Sequence, residues 1–416
     1  MSVTPAAPSR ETGQARAPSV RRHELDWLRT AAVFGLIPFH TAVIFTTGSY
    51  DYVRNPQTSV AMNILTTFIS IWGIPLLFLV AGGSARYALA SRGVKRYLNE
   101  RVTRLAIPFI FGMLLIVPIQ VYIGRVAAPE PEPSFPVFYG QFLLNLALIF
   151  TGQIPRGPDW IGHLWFIPPL MLFAALAIPY AWLLRTPRGR AFVDWLASAA
   201  RGYGGLALLG LPLALAQWLA LEGVALMATT SVQFAANAFG TVSFLLFFLY
   251  GYLLYLDGRF LVSVRRVTWV ALALGAVTWV ALAFVLPNMP NLGAPVSGPW
   301  WRVAVALLRG YCGWFWVAGI LGLAIRYLSF SHPVERYLAR AAYPVYIIHM
   351  PILSLIALWV VTLGIGILPK FGLITLASLA VALLIYEYLI RRVGPLRMLF
   401  GLHLASKAAA PKAQRA

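Results

Sequence analysis

Apolar residues in this chain run in long blocks, with short polar or basic stretches between them. The blocks lie at about residues 28–48, 60–85, 105–125, 137–151, 162–184, 203–223, 236–256, 267–286, 302–326, 340–363 and 371–390. Most of them reach the ~20 residues that a helix needs to cross a hydrocarbon core of ~30 Å. The pattern predicts an all-α polytopic membrane protein. The block at 137–151 (VFYGQFLLNLALIFT) is the shortest and falls near the length of re-entrant or interfacial helices.

Charge decides how that block is counted. If all eleven blocks crossed, the loop carrying Arg185, Arg188, Arg190 and Arg201 would lie opposite the basic stretch from Arg86 to Arg104, against the tendency of Lys and Arg to stay cytoplasmic. Treating 137–151 as a re-entrant or interfacial helix leaves about ten transmembrane helices with both termini cytoplasmic. That arrangement puts 27 of the 33 Lys and Arg on the cytoplasmic side. The outer loops are then the acidic, proline-rich Ala128 to Pro136, the stretch around Asp51, and the uncharged Pro287 to Pro299.

Composition narrows the class further. With 60% hydrophobic and 11% charged residues and a mean hydropathy of +0.75, the chain cannot build a water-facing surface of ordinary make-up. The net charge of +20 is not read as nucleic-acid binding, because the basic residues sit between apolar blocks, as orientation signals do. The single cysteine, Cys312, excludes an intrachain disulfide and a thiolate metal cluster, and no set of metal ligands is expected. Residues 1–22 and 399–416 are expected to be polar cytoplasmic tails, the first disordered, around one transmembrane domain at 23–398. A cleaved signal peptide is not expected, since the first apolar block starts late, is long, and follows Glu24 and Asp26.

The first block carries the most informative pair, Arg29 and His40. Eleven helical steps come to only ~20° past three full turns, so the two share a face and stand ~16 Å apart along the axis. An arginine at the membrane edge is thereby aligned with a histidine near the midplane, where an ionisable group is costly and marks a functional site by default. Alone, Arg29 would read as an edge anchor and His40 as a buried structural histidine. Pro38 beside His40 favours a kink and a ligand cavity. His349 is also deep, in AAYPVYIIHMPIL, with Tyr346 one turn earlier and Pro344 and Pro351 interrupting the ladder.

Arg309, seven residues into its span, should face the bundle interior. His163 opens HLWFIPPL at the outer edge of its block, where Trp165 fits an aromatic belt and a polar membrane-edge role is expected. Arg86, Arg92, Lys95, Arg96, Arg101 and Arg104 cluster at the cytoplasmic mouth, and Arg101 with Arg104, one turn apart, would make an anion clamp for phosphates. The glycines nearby lack the spacing of a P-loop, and HExxH, CxxC, GxSxG and an intramembrane carboxylate pair are missing. Glu387 is placed to pair with Arg391 at i+4.

Four segments together resemble the acyltransferase 3 family of membrane proteins, and within it the branch that succinylates periplasmic glucans. They are ELDWLRTAAVFGLIPFH (Glu24 to His40) with its arginine, ten residues, histidine spacing; RVTRLAIPFIFG with Arg101, Arg104 and Pro108; HLWFIPPL from His163; and AAYPVYIIHMPIL, which ends the core. The likeness spans about Glu24 to Arg392. One departure is LVAGGSARY (Leu79 to Tyr87), where the family usually has a Ser-Gly-aromatic turn.

The resemblance implies transfer of an acyl group, of the acetyl or succinyl class, from a cytoplasmic acyl-coenzyme A to a hydroxyl of a glycan or other envelope acceptor, in the bacterial inner membrane. His40 and His349 would be catalytic, with His40 as general base, and Arg29, Arg86, Arg101, Arg104, Arg309, Tyr346 and His163 would bind substrate. No bound cofactor and no nucleic-acid partner are implied. A neutral histidine suits a hydroxyl substrate near pH 7, and ~16 Å between arginine and histidine leaves room for an extended thioester arm. The competing reading is a secondary transporter or flippase, since midplane ionisable groups beside broken helices also mark transport pathways. Against it stand the lack of an inverted repeat and of an Asp/Glu relay. A third reading is a non-catalytic polysaccharide-export partner that uses the cavity only for binding.

Topology is checked with reporter fusions: one after Arg190 should read cytoplasmic and one within Ala128 to Pro136 external. The same side for both would mean that 137–151 crosses.

Overall fold

A computed structural model describes residues 21–48, 52–128, 133–150, 161–226, 232–285 and 299–402. Most of both expected tails, and the centres of the loops at Ala128 to Pro136 and Pro287 to Pro299, lie outside the described residues. Among the described residues the chain is helical, with no strand. The helices are α1 (His23–Val43), α2 (Val60–Arg92), α3 (Val94–Val126), α4 (Phe135–Phe150), α5 (Gly162–Arg185), α6 (Pro187–Ala199), α7 (Tyr203–Leu226), α8 (Val232–Leu254), α9 (Gly258–Val285), α10 (Pro299–Tyr327), α11 (Pro333–Val360), α12 (Ile367–Ile390) and α13 (Gly394–Leu399). Each of the eleven apolar blocks falls on one helix. Among the described residues seven helices, α2, α3, α5, α9, α10, α11 and α12, are long and apolar enough to cross a membrane.

The stretch expected as a loop between Arg185 and Arg201 contains α6. Thr186 caps it, its Oγ1 accepting from the Gly189 N–H at 3.0 Å, and Pro187 starts it, where a missing N–H costs nothing. Val193, Leu196 and Ala197 face inward, while Phe192 and Trp195 are exposed. The turn after α8 is tied to this helix: Arg259 bonds both Asp257 and Asp194, and its guanidinium holds the Asp257 carboxyl below the usual carboxylate range.

Two hydrophobic cores divide the bundle. One joins residues of α2, α5, α6, α7, α8, α9 and α10 with Leu25 and Leu28 of α1 and Tyr97 of α3; the other joins α1, α3, α4, α11 and α12 with Met62 and Leu77 of α2 and Leu164 and Ile167 of α5. Helices α1, α2, α3 and α5 contribute to both. At this seam Phe78 of α2 packs against Phe166 (4.4 Å between ring centres), Phe173 and Phe244.

Between α2 and α8 the backbones themselves touch. A Cβ on Gly82 would lie 1.8 Å from the Phe248 carbonyl oxygen, and one on Gly251 would lie 1.8 Å from that of Leu79. In lipid, helices gain no hydrophobic drive toward each other, so small residues that allow close approach supply the packing. In LVAGGSARY, Gly82 and Gly83 sit where α8 crosses.

Prolines inside the spans leave acceptors behind. A proline has no N–H for the carbonyl four residues earlier. Pro118 so releases the Leu114 carbonyl, which accepts from the Tyr139 hydroxyl at 3.2 Å and ties α4 along α3. Phe138 and Phe142 bury the inner face of α4, and Leu144 remains exposed. Pro108 follows a π-helical turn, Val102–Ala106, which widens the backbone between Arg101 and the end of the basic stretch. The expected breaks at Pro38, Pro344 and Pro351 do not interrupt α1 or α11, which run through them.

Gly251→Ala should cost about 1–3 kcal/mol through overpacking, whereas Gly35→Ala, with nothing within 4 Å of its added Cβ, should be neutral or stabilising. Thermal midpoints of the two purified variants in detergent check the contrast; equal midpoints would remove the glycine crossing as a requirement of the fold.

Candidate active site

Three helices bring three histidines together. His40 near the end of α1 and His349 in α11 have ring centres 5.6 Å apart, and His163 at the start of α5 stands 5.2 Å from His349, edge to face. The chain separates these residues by up to 309 positions, and packing of α1 on α11, with the bonds of His163 to Ile347 and Tyr346 of α11, reunites them.

His163 corrects the expectation of a membrane-edge role, because it is buried. Gly162 delivers it: with φ +48°, a conformation costly for other residues, it turns the chain into a 3₁₀ start that aims His163 inward. The Nε2–H of His163 donates to the Ile347 carbonyl at 2.9 Å, and its Nδ1 meets Gln120 Oε1 at 2.5 Å. The Ile347 carbonyl is the acceptor that Pro351 releases. A neutral ring has one N–H, so with Nε2 donating to Ile347, Nδ1 accepts, and the Gln120 amide turns its NH₂ toward it. The Tyr346 hydroxyl completes the lock, donating to the His163 carbonyl at 2.7 Å.

His349 is held in one tautomer. Its Nδ1 lies 2.7 Å from the Tyr346 carbonyl, which only accepts, so Nδ1 carries the proton and Nε2 the lone pair. Nε2 is buried and has no hydrogen-bond partner among the described residues. An imidazole nitrogen with a free lone pair, in a cluster of aromatic and imidazole rings, is a proton acceptor in waiting.

The opposite end of α1 is basic. Arg29 donates to Ser84 Oγ at 2.7 Å and pairs with Asp26 at 3.3 Å. It lies within Coulombic reach of Arg101, and Arg104 within reach of both. The guanidinium of Arg101 stacks on the Tyr97 ring, 4.9 Å from its centre. Among the described residues neither Arg101 nor Arg104 has a carboxylate within ion-pair distance, while Arg92 and Arg96 share Glu100. Three cations thus crowd together with Asp26 beside Arg29 and Glu100 within Coulombic reach of Arg104, a net positive arrangement that favours an anionic ligand.

Two expected partners lie elsewhere. Arg86 faces Tyr252 of α8, near Arg185. Arg309 lines a cavity among α2, α7, α8 and α10, on the far side of the seam from the histidines. Glu387 does pair with Arg391, at 2.7 Å. Sequence reasoning missed Ser84 and Gln120. The second had a signal, a lone amide within the apolar run VPIQVYIG, and it is buried to 1% exposure.

Residues 22–387 match the sequence model of an acyltransferase domain, the acyltransferase 3 type. The chain belongs to this family. Curated relatives named glucans biosynthesis protein C are similar along most of its length: that of Salmonella schwarzengrund is 22% identical over 392 residues, covering 92% of this chain and 95% of the relative. That of Salmonella paratyphi A is 22% identical over 344 residues, 80% of this chain and 83% of the relative. No solved structure gives a significant match. The acyltransferase is an integral membrane enzyme that transfers groups other than aminoacyl groups.

Pro351→Ala returns an N–H to the Ile347 carbonyl, which His163 then shares. The variant should keep its thermal midpoint and lose about tenfold in acyl transfer, the worth of roughly one net hydrogen bond; full activity would make the Ile347 contact incidental.

Proposed function

We propose that the acyltransferase moves an acetyl- or succinyl-class group from a cytoplasmic acyl-coenzyme A to a hydroxyl of a glycan or other cell-envelope acceptor. The observation that carries this reading is the division of labour along α1. Its Arg29 end meets Arg101 and Arg104, and its His40 end, ~16 Å away, meets His349. Guanidinium groups suit the phosphates of coenzyme A, and the distance suits an extended pantetheine arm whose thioester arrives beside the imidazoles. The relatives' role in glucan biosynthesis supports a glucan hydroxyl as acceptor.

In this reading His40 removes the hydroxyl proton as the oxygen attacks the thioester carbonyl. The C–O bond forms, the C–S bond breaks, and the thiolate leaves and takes up a proton. The lone pair on His349 Nε2 offers an adjoining acceptor for the same proton, and Gln120, Tyr346 and His163 hold that geometry. The proposed setting is the bacterial inner membrane, with ten spans, both termini cytoplasmic, the arginines inside and α4 lying peripheral to the bundle. Its 16 residues, ~24 Å, fall short of the hydrocarbon core.

His40→Ala should lower transfer by about 100-fold or more while membrane insertion is unchanged; wild-type rates in a well-expressed variant would remove His40 as base. Arg29→Lys keeps the charge and loses the bidentate fork. It should raise the apparent KM for the acyl donor with a smaller change in kcat, the pattern of lost ground-state binding. An unchanged donor dependence would make Arg29 an edge anchor and return transport to consideration.

A further inference from the structure

Arg309 borders a cavity of about 200 Å³, together with Ser70, Gln217, Ser243 and the apolar Ile71, Leu213 and Phe247. Four polar positions form one level in the bundle. Ser70 is ten residues from the start of α2, Arg309 ten from the start of α10, Ser243 eleven from the start of α8, and Gln217 nine from the end of α7. At ~1.5 Å per residue each lies ~13–17 Å from its helix end. Helix α10 is ~43 Å long; centred on a ~30 Å core it would overhang by ~6 Å at each end and place the Arg309 backbone ~9 Å below the boundary.

A side chain of that length brings its guanidinium almost to headgroup depth. Among the described residues no carboxylate, carbonyl or hydroxyl binds the Arg309 side chain, although Gln217 and Ser243 bond each other at 3.2 Å. A cation within a bilayer is costly unless it is neutralised. Contrary to the expected inward orientation, Arg309 is exposed, so the cavity is open at the protein surface beside it.

We propose that this cavity binds a phosphate-bearing lipid, with the phosphate on Arg309, the hydroxyl of Ser243 and the amide of Gln217 around it, and the chain along Ile71, Leu213 and Phe247; Ser70, whose hydroxyl donates to the Thr66 carbonyl at 2.7 Å, only lines the space. Phosphates are the anions that a bilayer supplies at this depth, and a guanidinium holds them bidentately. The site is separate from the proposed transfer centre. The aromatic wall of Phe78, Phe166 and Phe244 stands between them, and Phe244 also lines the cavity.

The test uses the purified full chain in detergent and native mass spectrometry with three probes: phosphatidylglycerol, a diacylglycerol with the same tails, and inorganic phosphate. Wild type should retain phosphatidylglycerol and neither of the others. Arg309→Gln should weaken retention by about tenfold, the worth of a charged hydrogen bond. Ser70→Leu, which fills the cavity and leaves the arginine, should weaken it comparably and shows that the pocket, not bulk charge, is read. Equal retention of diacylglycerol, equal binding of inorganic phosphate, or undiminished lipid binding by both variants would overturn the proposal. None of these readouts depends on acyl transfer, so their outcome is independent of the function proposed above.

Discussion

The geometry of the candidate site hangs on one hydrogen bond, from His163 Nε2–H to the carbonyl of Ile347. In a bilayer every backbone polar group needs a partner, and a helix ordinarily supplies its own. Pro351 withholds the N–H that would serve Ile347, and His163 takes its place from another helix. The cost of a proline in a membrane helix is thereby turned into a specific tie between α5 and α11. With Nε2 so committed, the tautomer of His163 is set, Gln120 is recruited to its other nitrogen, and the Tyr346 hydroxyl closes onto its backbone. The same residue, Tyr346, offers its carbonyl to His349 and sets that tautomer as well.

The bond also lies beside a boundary. Helices α2 and α5 take part in two hydrophobic cores, and Tyr346 beside the histidines belongs to one of them while Leu213 and Phe247 beside Arg309 belong to the other. Rigid contacts hold this division: Gly82 and Gly251 let α2 and α8 meet backbone to backbone, and Gly310 does the same for α10 against Ala214 of α7. A glycine in a helix interior normally lowers stability, and here it is retained because any side chain would collide with a neighbouring carbonyl or backbone atom. The frame that holds the histidine cluster of this chain thus also holds a second, polar cavity.

Much of the site was legible because its most telling residues are chemically out of place. Arg29, His40 and His349 stand out of apolar blocks, and helical geometry alone aligns the first two; Arg309 stands out in the same way but lies in another cavity. The blocks themselves gave the helices, since their length is set by bilayer thickness. What was not legible follows from contacts between distant segments. His163 read as a membrane-edge residue because its block begins there, yet Gly162 turns it inward. Ser84 carried no signal, being one small hydroxyl near a helix end. The helix α6 was hidden because its apolar face is only Val193, Leu196 and Ala197, too short to register as a block.

The sequence by itself determined the apolar surroundings, the helical class, the grouping of the cations between apolar blocks and the spacing of Arg29 and His40, because these depend on hydropathy and on the fixed rise of one helix. Only the tertiary structure decided which ionisable groups meet. It joined Arg29 to Arg101 and Arg104, joined His40 to His349 and His163, and sent Arg86 and Arg309 to other neighbours. The reason is physical: rotation and crossing of membrane helices are set by side-chain packing, glycine contacts and freed carbonyls between segments far apart in the chain, and no local pattern of residues encodes them.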